Sequence, residues 1–457
     1  MGKTLIATIV CFCFAVTTVF AQKKRLFNET PAQKQQRMQW WENARFGMFI
    51  HWGLYALPAR HEWVKNRERI TTEQYQKYFD LFNPDLFEPK KWAKEAKAAG
   101  MKYAVLTTKH HEGFCLFDSK YTDYKATNTP AKRDLVREFV DAFRAEGIKI
   151  GFYYSLIDWH HPDFTIDRVH PQRLDENAPE AEWEKINKGR DMAKYREYLF
   201  NQVTELLTNY GKVDILWLDF SYPGKHGKGK DDWNSVALIK QIRKLQPGII
   251  VDNRLNLGDY EDGEDFETPE QVKPETLAKY RGKVWETCQT FSGSWGYYRD
   301  EHTWKSNKQL LDLLITSTAN GGNLILNVGP TARGEFDYRA TRALDSLALW
   351  MHGNNRSIYN CTFAPDEYSV PDGARLTYNP QTKRLYVHLF DYPYSRQLVL
   401  KGYGGKISYA QLLNDASELR TVDNSAIESA AAGSDIKLSL PADKPPVEVP
   451  VIELILK

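Results

Sequence analysis

Between residues 45 and 330 the chain repeats one pattern, a short apolar run followed by a stretch of helical periodicity. The apolar runs are 45–53 (RFGMFIHWG), 103–111 (YAVLTTKHH), 148–158 (IKIGFYYSLID), 214–220 (DILWLDF), 248–254 (GIIVDNR), 283–290 (KVWETCQT) and 322–330 (GNLILNVGP). The stretches 89–100, 133–147 and 195–211 carry apolar residues at three- and four-residue spacing and stop at Gly100, Gly147 and Gly211, as helices do. Strand-then-helix repetition implies a parallel sheet, because a parallel neighbour is reached only by a crossover. The runs are apolar on both faces, which suits a sheet packed inside and covered by helices outside. The expected fold is therefore α/β, a (β/α)8-like TIM barrel. A doubly wound sheet would carry a glycine-rich phosphate loop after its first strand, and HWGLYALPARHEW (51–63) is not one.

After Asp366 the texture changes to period-two alternation broken by Pro, Gly and Asp turns, the pattern of an antiparallel β-sandwich. The expected domains are a catalytic barrel over 22–365 and a C-terminal sandwich over 366–457. Residues 161–190 form a polar, proline-containing insertion with no assigned element.

Lys and Arg number 61 against 59 Asp and Glu, so there is no basic excess to neutralise a phosphate backbone, and nucleic acid is not an expected partner. At the N-terminus, Lys3 precedes an apolar run from Leu5 to Phe20 that ends in Val19-Phe20-Ala21. This reads as a secretory signal over 1–21, cleaved after Ala21, and the run is shorter than a membrane span requires. The expected product is an exported protein, periplasmic or secreted, with no membrane span. Cys11 and Cys13 leave with the signal; Cys115, Cys288 and Cys361 remain, an odd set without paired spacing, so neither a disulfide framework nor a zinc knuckle is expected.

In such a barrel the reaction sits at the C-terminal ends of the strands. There the sequence places His51, His110, His111, Ser155, Asp158, Asp219 and Arg254. Along DILWLDF a period of two puts Ile215, Trp217 and Asp219 on one face, so a Trp217 that points into the barrel brings Asp219 with it. A lone strand-end aspartate is usually a helix cap or the partner of an arginine. The functional reading is an ionised carboxylate beneath a reacting carbon. Glycoside hydrolysis would need a second carboxyl. The acidic segment 259–275 offers Glu261, Glu264, Glu267 and Glu270, and Glu286 competes; such a loop is ordinarily solvated, and spacing does not choose among them. A metal hydrolase using His51, His110 and Asp219 as ligands is the minority reading, since a helical H-E-x-x-H is absent and neutral imidazoles equally suit sugar hydroxyls. No metal and no organic cofactor are expected. GKHGKGKD (224–231) has phosphate-loop spacing, but Asp231 stands where a Ser or Thr must hold magnesium, so it reads as a flexible basic loop.

RFGMFIHWG, the EW at 62–63, TTKHHEGF, GFYYS, ILWLDF, VDNR, DFETPE, SWGYY and NGGNLILNVGP occur in one order over roughly 40–330. In combination they resemble the α-L-fucosidases of glycoside hydrolase family 29. The resemblance implies a barrel followed by a β-sandwich, and hydrolysis of terminal α-L-fucose from fucosylated glycans with retained anomeric configuration. It implies Asp219 as nucleophile and, through DFETPE, Glu270 as acid/base. His51, Glu62, Trp63, His110, His111, Tyr153 and Arg254 fall at the family's sugar-pocket positions, and Trp295 where an aromatic closes on the methyl-bearing side of fucose. Val64 departs from the aromatic that often follows EW, a difference that bears on aglycone contacts. Arg254 and the histidines are expected to keep Asp219 charged, and a drier setting to raise the pKa of Glu270. Branches linked α1,3 or α1,4 are the expected substrates. The rivals are a glycosidase for galactose-configured sugars and a non-catalytic fucose binder.

Overall fold

The structure, a computed structural model, describes residues 24–457. The expected signal segment 1–21 lies outside the described residues. Among these, seven parallel strands form one sheet in the order β5-β4-β3-β2-β1-β7-β6. They are β1 Phe46–Ile50, β2 Tyr103–Lys109, β3 Lys149–Ser155, β4 Ile215–Asp219, β5 Ile250–Val251, β6 Glu286–Thr290 and β7 Asn323–Val328. All seven lie within the apolar runs of the sequence. The crossover helices Pro89–Ala98, Leu135–Ala145 and Met192–Asn209 also match, and the glycines that stop them have positive φ (87°, 75° and 73°), the left-handed conformation that suits glycine best.

The edges β5 and β6 are joined by a segment the sequence had read as a solvated acidic loop. Residues 266–270 run parallel to both, with bridges from Asp252 to Phe266, from Glu267 to Trp285 and from Glu270 to Cys288. Backbone bonds from Glu267 N to Val284 O (3.0 Å) and from Gln271 N to Cys288 O (3.1 Å) fasten it. Pro269 lacks an N–H, which keeps this eighth element irregular. The result is a closed TIM-like barrel, with Glu270 at the C-terminal end of the closing segment.

Side chains sort by parity. Phe49, Tyr103, Val105, Tyr153, Ile215, Trp217, Ile250, Phe266, Cys288 and Ile325 fill the barrel interior. Met48, Leu106, Phe152, Tyr154, Leu216, Leu218 and Leu326 face the helices in a second core. The helix Pro31–Ala44, started by a capping box between Thr30 and Gln33, closes the N-terminal end of the barrel with Met38, Trp41 and Ala44. Asn323, the first residue of β7, donates from Nδ2 to Trp41 O at 2.8 Å there.

The C-terminal region forms an antiparallel β-sandwich. Strands β8 Ala374–Asn379, β9 Arg384–Leu389, β11 Ile407–Leu412 and β13 Val451–Leu456 make one sheet in the order β11-β13-β9-β8. Strands β10 Gln397–Leu400 and β12 Ile436–Ser439 make the other, and the two sheets share one apolar core. Trp350 Nε1 donates to Val449 O (2.9 Å), seating the sandwich on the helix Tyr338–Asn354. Among the described residues no helix is long and apolar enough to cross a membrane, and Cys115, Cys288 and Cys361 are buried free thiols.

The basic loop 224–231 is tied down, contrary to the expectation of flexibility. Lys228 is buried and holds Asp167 of the polar insertion at 2.8 Å, and Tyr222 donates to the same carboxylate at 2.5 Å.

Candidate active site

One cavity of about 510 Å³ opens at the C-terminal end of the barrel, and all ten expected site residues line it. Its floor is Phe49, Tyr153 and Trp217; its walls rise on the loops that follow the strands. Asp219 ends β4 and points inward, as the alternation along ILWLD requires. The strand pair β4–β5 lasts only two residue pairs, after which the Asp252 carboxylate takes over and accepts from Leu218 N at 3.1 Å. A buried side chain, not a ladder, thus fixes the end of β4 next to Asp219. Burial pushes the Asp252 carboxyl well above its ordinary range, more than Arg254 and the Leu218 N–H lower it.

Asp219 is held from two sides. Tyr153 donates from its hydroxyl to Oδ2 at 2.7 Å, and Arg254 Nη1 lies 3.2 Å from Oδ1. Tyr154, the next residue in GFYYS, turns outward and donates to Gln202 at 2.9 Å. Phe220 follows Asp219 with φ 86°, a strained value for a side-chain-bearing residue, and its N–H is directed at the Asp219 carboxylate. Burial pushes the Asp219 pKa up to about 6; Arg254 and Tyr153 oppose this and Glu270 adds to it.

Arg254 organises the pair of carboxylates. Its Nη2 reaches Glu270 Oε2 at 3.0 Å, its Nε donates to Thr268 Oγ1 at 2.8 Å, and its guanidinium lies 5.0 Å above the Trp217 ring. One planar fork thus carries Asp219 on one terminal nitrogen and Glu270 on the other, with the barrel-closing segment supplying Thr268. The two carboxylates differ in solvation: the Asp219 side chain is 14% exposed and that of Glu270 is 44% exposed. The drier setting expected at Glu270 is found at Asp219.

The histidines are neutral, so they do not supply the positive charge expected beside Asp219. Burial pulls His51 down to about 4 and holds His110 and His111 well below their usual range. His51 Nδ1 lies 2.6 Å from Asn327 Oδ1, whose amide nitrogen is spent on Trp295 O at 2.6 Å, so Nδ1 carries the proton and Nε2 is left as acceptor. The Ser155 hydroxyl donates to Ile157 O (2.7 Å), so His111 Nδ1 (2.7 Å from Ser155 Oγ) is the donor there. Its Nε2, 3.8 Å from Asp219 Oδ2, then faces the carboxylate without a proton. His110 stacks on Tyr153 at 5.7 Å, and its buried Nδ1 has no hydrogen-bond partner.

Glu62 is almost wholly buried and sets the position of Trp295. Its Oε2 accepts from Gly296 N (2.9 Å), Trp295 N (3.2 Å) and Ser294 Oγ (3.2 Å). A Cβ on Gly329 would come within 2.6 Å of Gly296 C and Tyr297 N, so the glycine after β7 lets this loop lie against the barrel. Trp295 then tilts over His51 at 5.1 Å, and on the opposite wall Trp63 packs on His111 at 5.3 Å and Phe220 at 5.5 Å.

The competing acidic residues lie elsewhere. Glu261 is near Arg25, Glu267 pairs with Lys283 at 2.9 Å, and Glu264 accepts from Leu257 N at 2.8 Å. Glu286 is buried inside the barrel, where Tyr103 donates to it and burial raises its carboxyl to about 8. Among the described residues no group of three His, Cys, Asp or Glu is placed to hold a metal ion, so His51, His110 and Asp219 do not form the ligand set of the minority reading. Sequence reasoning missed Arg67, Gln271, Thr303 and Lys305 on the rim. Nothing in their local pattern marks them, because they reach the cavity from loops.

The Alpha-L-fucosidase family model matches residues 13–356. Plasma alpha-L-fucosidase of Homo sapiens is 29% identical over 395 residues, covering 80% of this chain and 79% of that protein. Among solved structures, alpha-L-fucosidase isoenzyme 1 from Paenibacillus thiaminolyticus is 44% identical, with a TM-score of 0.82 over 93% of this chain and 99% of the other. An alpha-L-fucosidase from Bacteroides thetaiotaomicron, trapped as a covalent intermediate with 2-fluoro-fucosyl fluoride, is 30% identical, with a TM-score of 0.76 over 96% of this chain and 98% of the other. A barrel whose mouth gathers two carboxylates on one arginine, beneath aromatic walls and neutral histidines, and which matches these proteins over most of its length, belongs to the α-L-fucosidase family, glycoside hydrolase family 29.

Proposed function

We propose that this α-L-fucosidase removes terminal α-L-fucose from fucosylated glycans by double displacement with retention, Asp219 acting as nucleophile and Glu270 as acid/base. The observation that carries the reading is the Arg254 fork, which presents both carboxylates to one cavity. Protonated Glu270 gives its proton to the glycosidic oxygen as an Asp219 oxygen attacks C1, and the C1–O bond to the aglycone breaks. Glu270, now a carboxylate, takes a proton from water as that water attacks C1 and displaces Asp219. Retaining glycosidases hold the two carboxyls about 5 to 5.5 Å apart so that one can bond to C1. The covalent intermediate trapped in the Bacteroides thetaiotaomicron enzyme supports the ester route.

The floor of Phe49, Tyr153 and Trp217 supports exo action, since among the described residues the packed barrel interior beneath it blocks the axis to a longer chain. The neutral histidines and Tyr153 suit the hydroxyls of fucose, and Trp63 and Trp295 suit its methyl group. A cavity of about 510 Å³ exceeds one deoxyhexose and leaves room for a branched aglycone, which fits substrates linked α1,3 or α1,4. The N-terminal pattern from Lys3 to Ala21 supports export to the periplasm or the medium.

Proton NMR of an aryl α-L-fucoside during turnover tests the stereochemistry: α-L-fucose is expected to appear first, and initial release of the β anomer would overturn the double displacement. A pH profile tests the nucleophile. With the Asp219 pKa raised to about 6, the protonated, unreactive form gains as pH falls, so kcat/KM is expected to drop about tenfold per unit below that value. A kcat/KM that stays flat to pH 4.5 would show Asp219 still ionised there and overturn the raised pKa.

A further inference from the structure

Three Arg and Lys side chains line the cavity, and only one of them is ion-paired. Arg254 is matched by Asp219 and Glu270. Arg67 ends the short helix Val64–Arg67 that follows Trp63, and is exposed; among the described residues its guanidinium has no hydrogen-bond or ion-pair partner. Lys305, on the loop after β6, lines the same cavity and is half-buried. Its Nζ donates to Thr290 O at 2.7 Å, with Thr290 Oγ1 at 3.4 Å, and it pairs with no carboxylate. Thr290 Oγ1 also accepts from Gln271 Nε2 at 2.9 Å, which fastens Lys305 to the wall that carries Glu270. The other carboxylates nearby form no ion pair with either cation: Glu62 is held by the Trp295 loop, and Glu301, the acidic neighbour of Lys305, accepts from Thr303 N and Oγ1 at 2.6 Å each.

Two cations without a carboxylate partner therefore line the cavity that holds Glu270, and Lys305 is fastened to the wall from which Glu270 would protonate the aglycone oxygen. A neutral sugar gains little from full charges, since its hydroxyls are already served by water. A carboxylate or sulfate gains a charge-assisted bond from each. We propose that the preferred substrates are fucosides with an anionic aglycone, whose carboxylate or sulfate ester is bound between Arg67 and Lys305. This rests on the fucosidase reading above.

The test compares kcat/KM for three matched oligosaccharides, one neutral, one sulfated and one carboxylated on a sugar adjoining the fucose-bearing residue, at low and at 0.5 M-order salt. The anionic substrates are expected to exceed the neutral one by about fivefold or more at low salt, and salt is expected to erase much of that ratio. Arg67→Ala and Lys305→Met should each bring the ratio closer to one, and because a ratio is read, a general loss of activity does not mimic the effect. Which of the two anions gains more identifies the chemistry at the mouth. Equal kcat/KM for neutral and anionic substrates in the wild-type enzyme would overturn the inference and leave the fucosidase reading standing. No hydrolysis of any of the three, nor of an aryl α-L-fucoside, would overturn that reading itself.

Discussion

Asp219→Asn is expected to lower kcat on an aryl α-L-fucoside by about a thousandfold or more, a loss of about 4 kcal/mol in transition-state stabilisation. The substitution is nearly isosteric. The asparagine carbonyl can still accept from the Tyr153 hydroxyl, now at 2.7 Å, so the fold and the cavity should survive. What disappears is the attacking electron pair and the charge that Arg254 balances. The thermal midpoint and KM check that the protein and its sugar site remain, and near-normal turnover in a fully folded variant would refute the role. Asp219→Gly adds a stereochemical reading. Azide entering the vacated space would attack C1 from the nucleophile's side and yield the β-fucosyl azide, so no azide product, or the α azide, counts against the assignment.

Glu270→Ala should divide substrates by leaving group. General acid catalysis contributes about 10²- to 10⁴-fold, so natural glycans, whose departing oxygen needs a proton, should lose activity on that scale. An aryl fucoside with an acidic phenol leaves unaided, and its first step should be little affected; the ester would then accumulate because water lacks its base. Azide needs no base, so it should restore turnover and give the α-fucosyl azide by attack on the Asp219 ester. Equal losses on both substrate types with no rescue would transfer the role to another carboxyl, of which Glu62 also lines the cavity. Removing the carboxylate also frees Arg254 Nη2, so activity should be compared with Glu270→Gln, which keeps an acceptor for that nitrogen.

Most of the barrel was legible because parity and periodicity are local. Ile215, Trp217 and Asp219 share a face by strand geometry alone, and the structure places all three inside the barrel. The sandwich was equally plain from the change of period after Asp366. The closing segment 266–270 was not, because its acidic residues and Pro269 carry the marks of a loop, and its pairing depends on two strand edges distant in sequence. Charge states were also out of reach. His111 looked like a cationic neighbour for Asp219, but its tautomer is dictated by Ser155 and Ile157, which no spacing rule connects to it. Lys228, in a run that looked mobile, is buried because Asp167 in a separate insertion meets it. Each miss involves partners brought together only by the tertiary fold.

Met38, Trp41 and Ala44 stopper the far end of the barrel, which makes the reaction chamber a cul-de-sac. On the proposed double-displacement route, traffic through this doorway would be ordered: the aglycone clears it before water comes in, and the freed monosaccharide leaves last. Liberated fucose and incoming glycan thus queue for the same threshold, and an accumulating product slows the enzyme by occupancy alone.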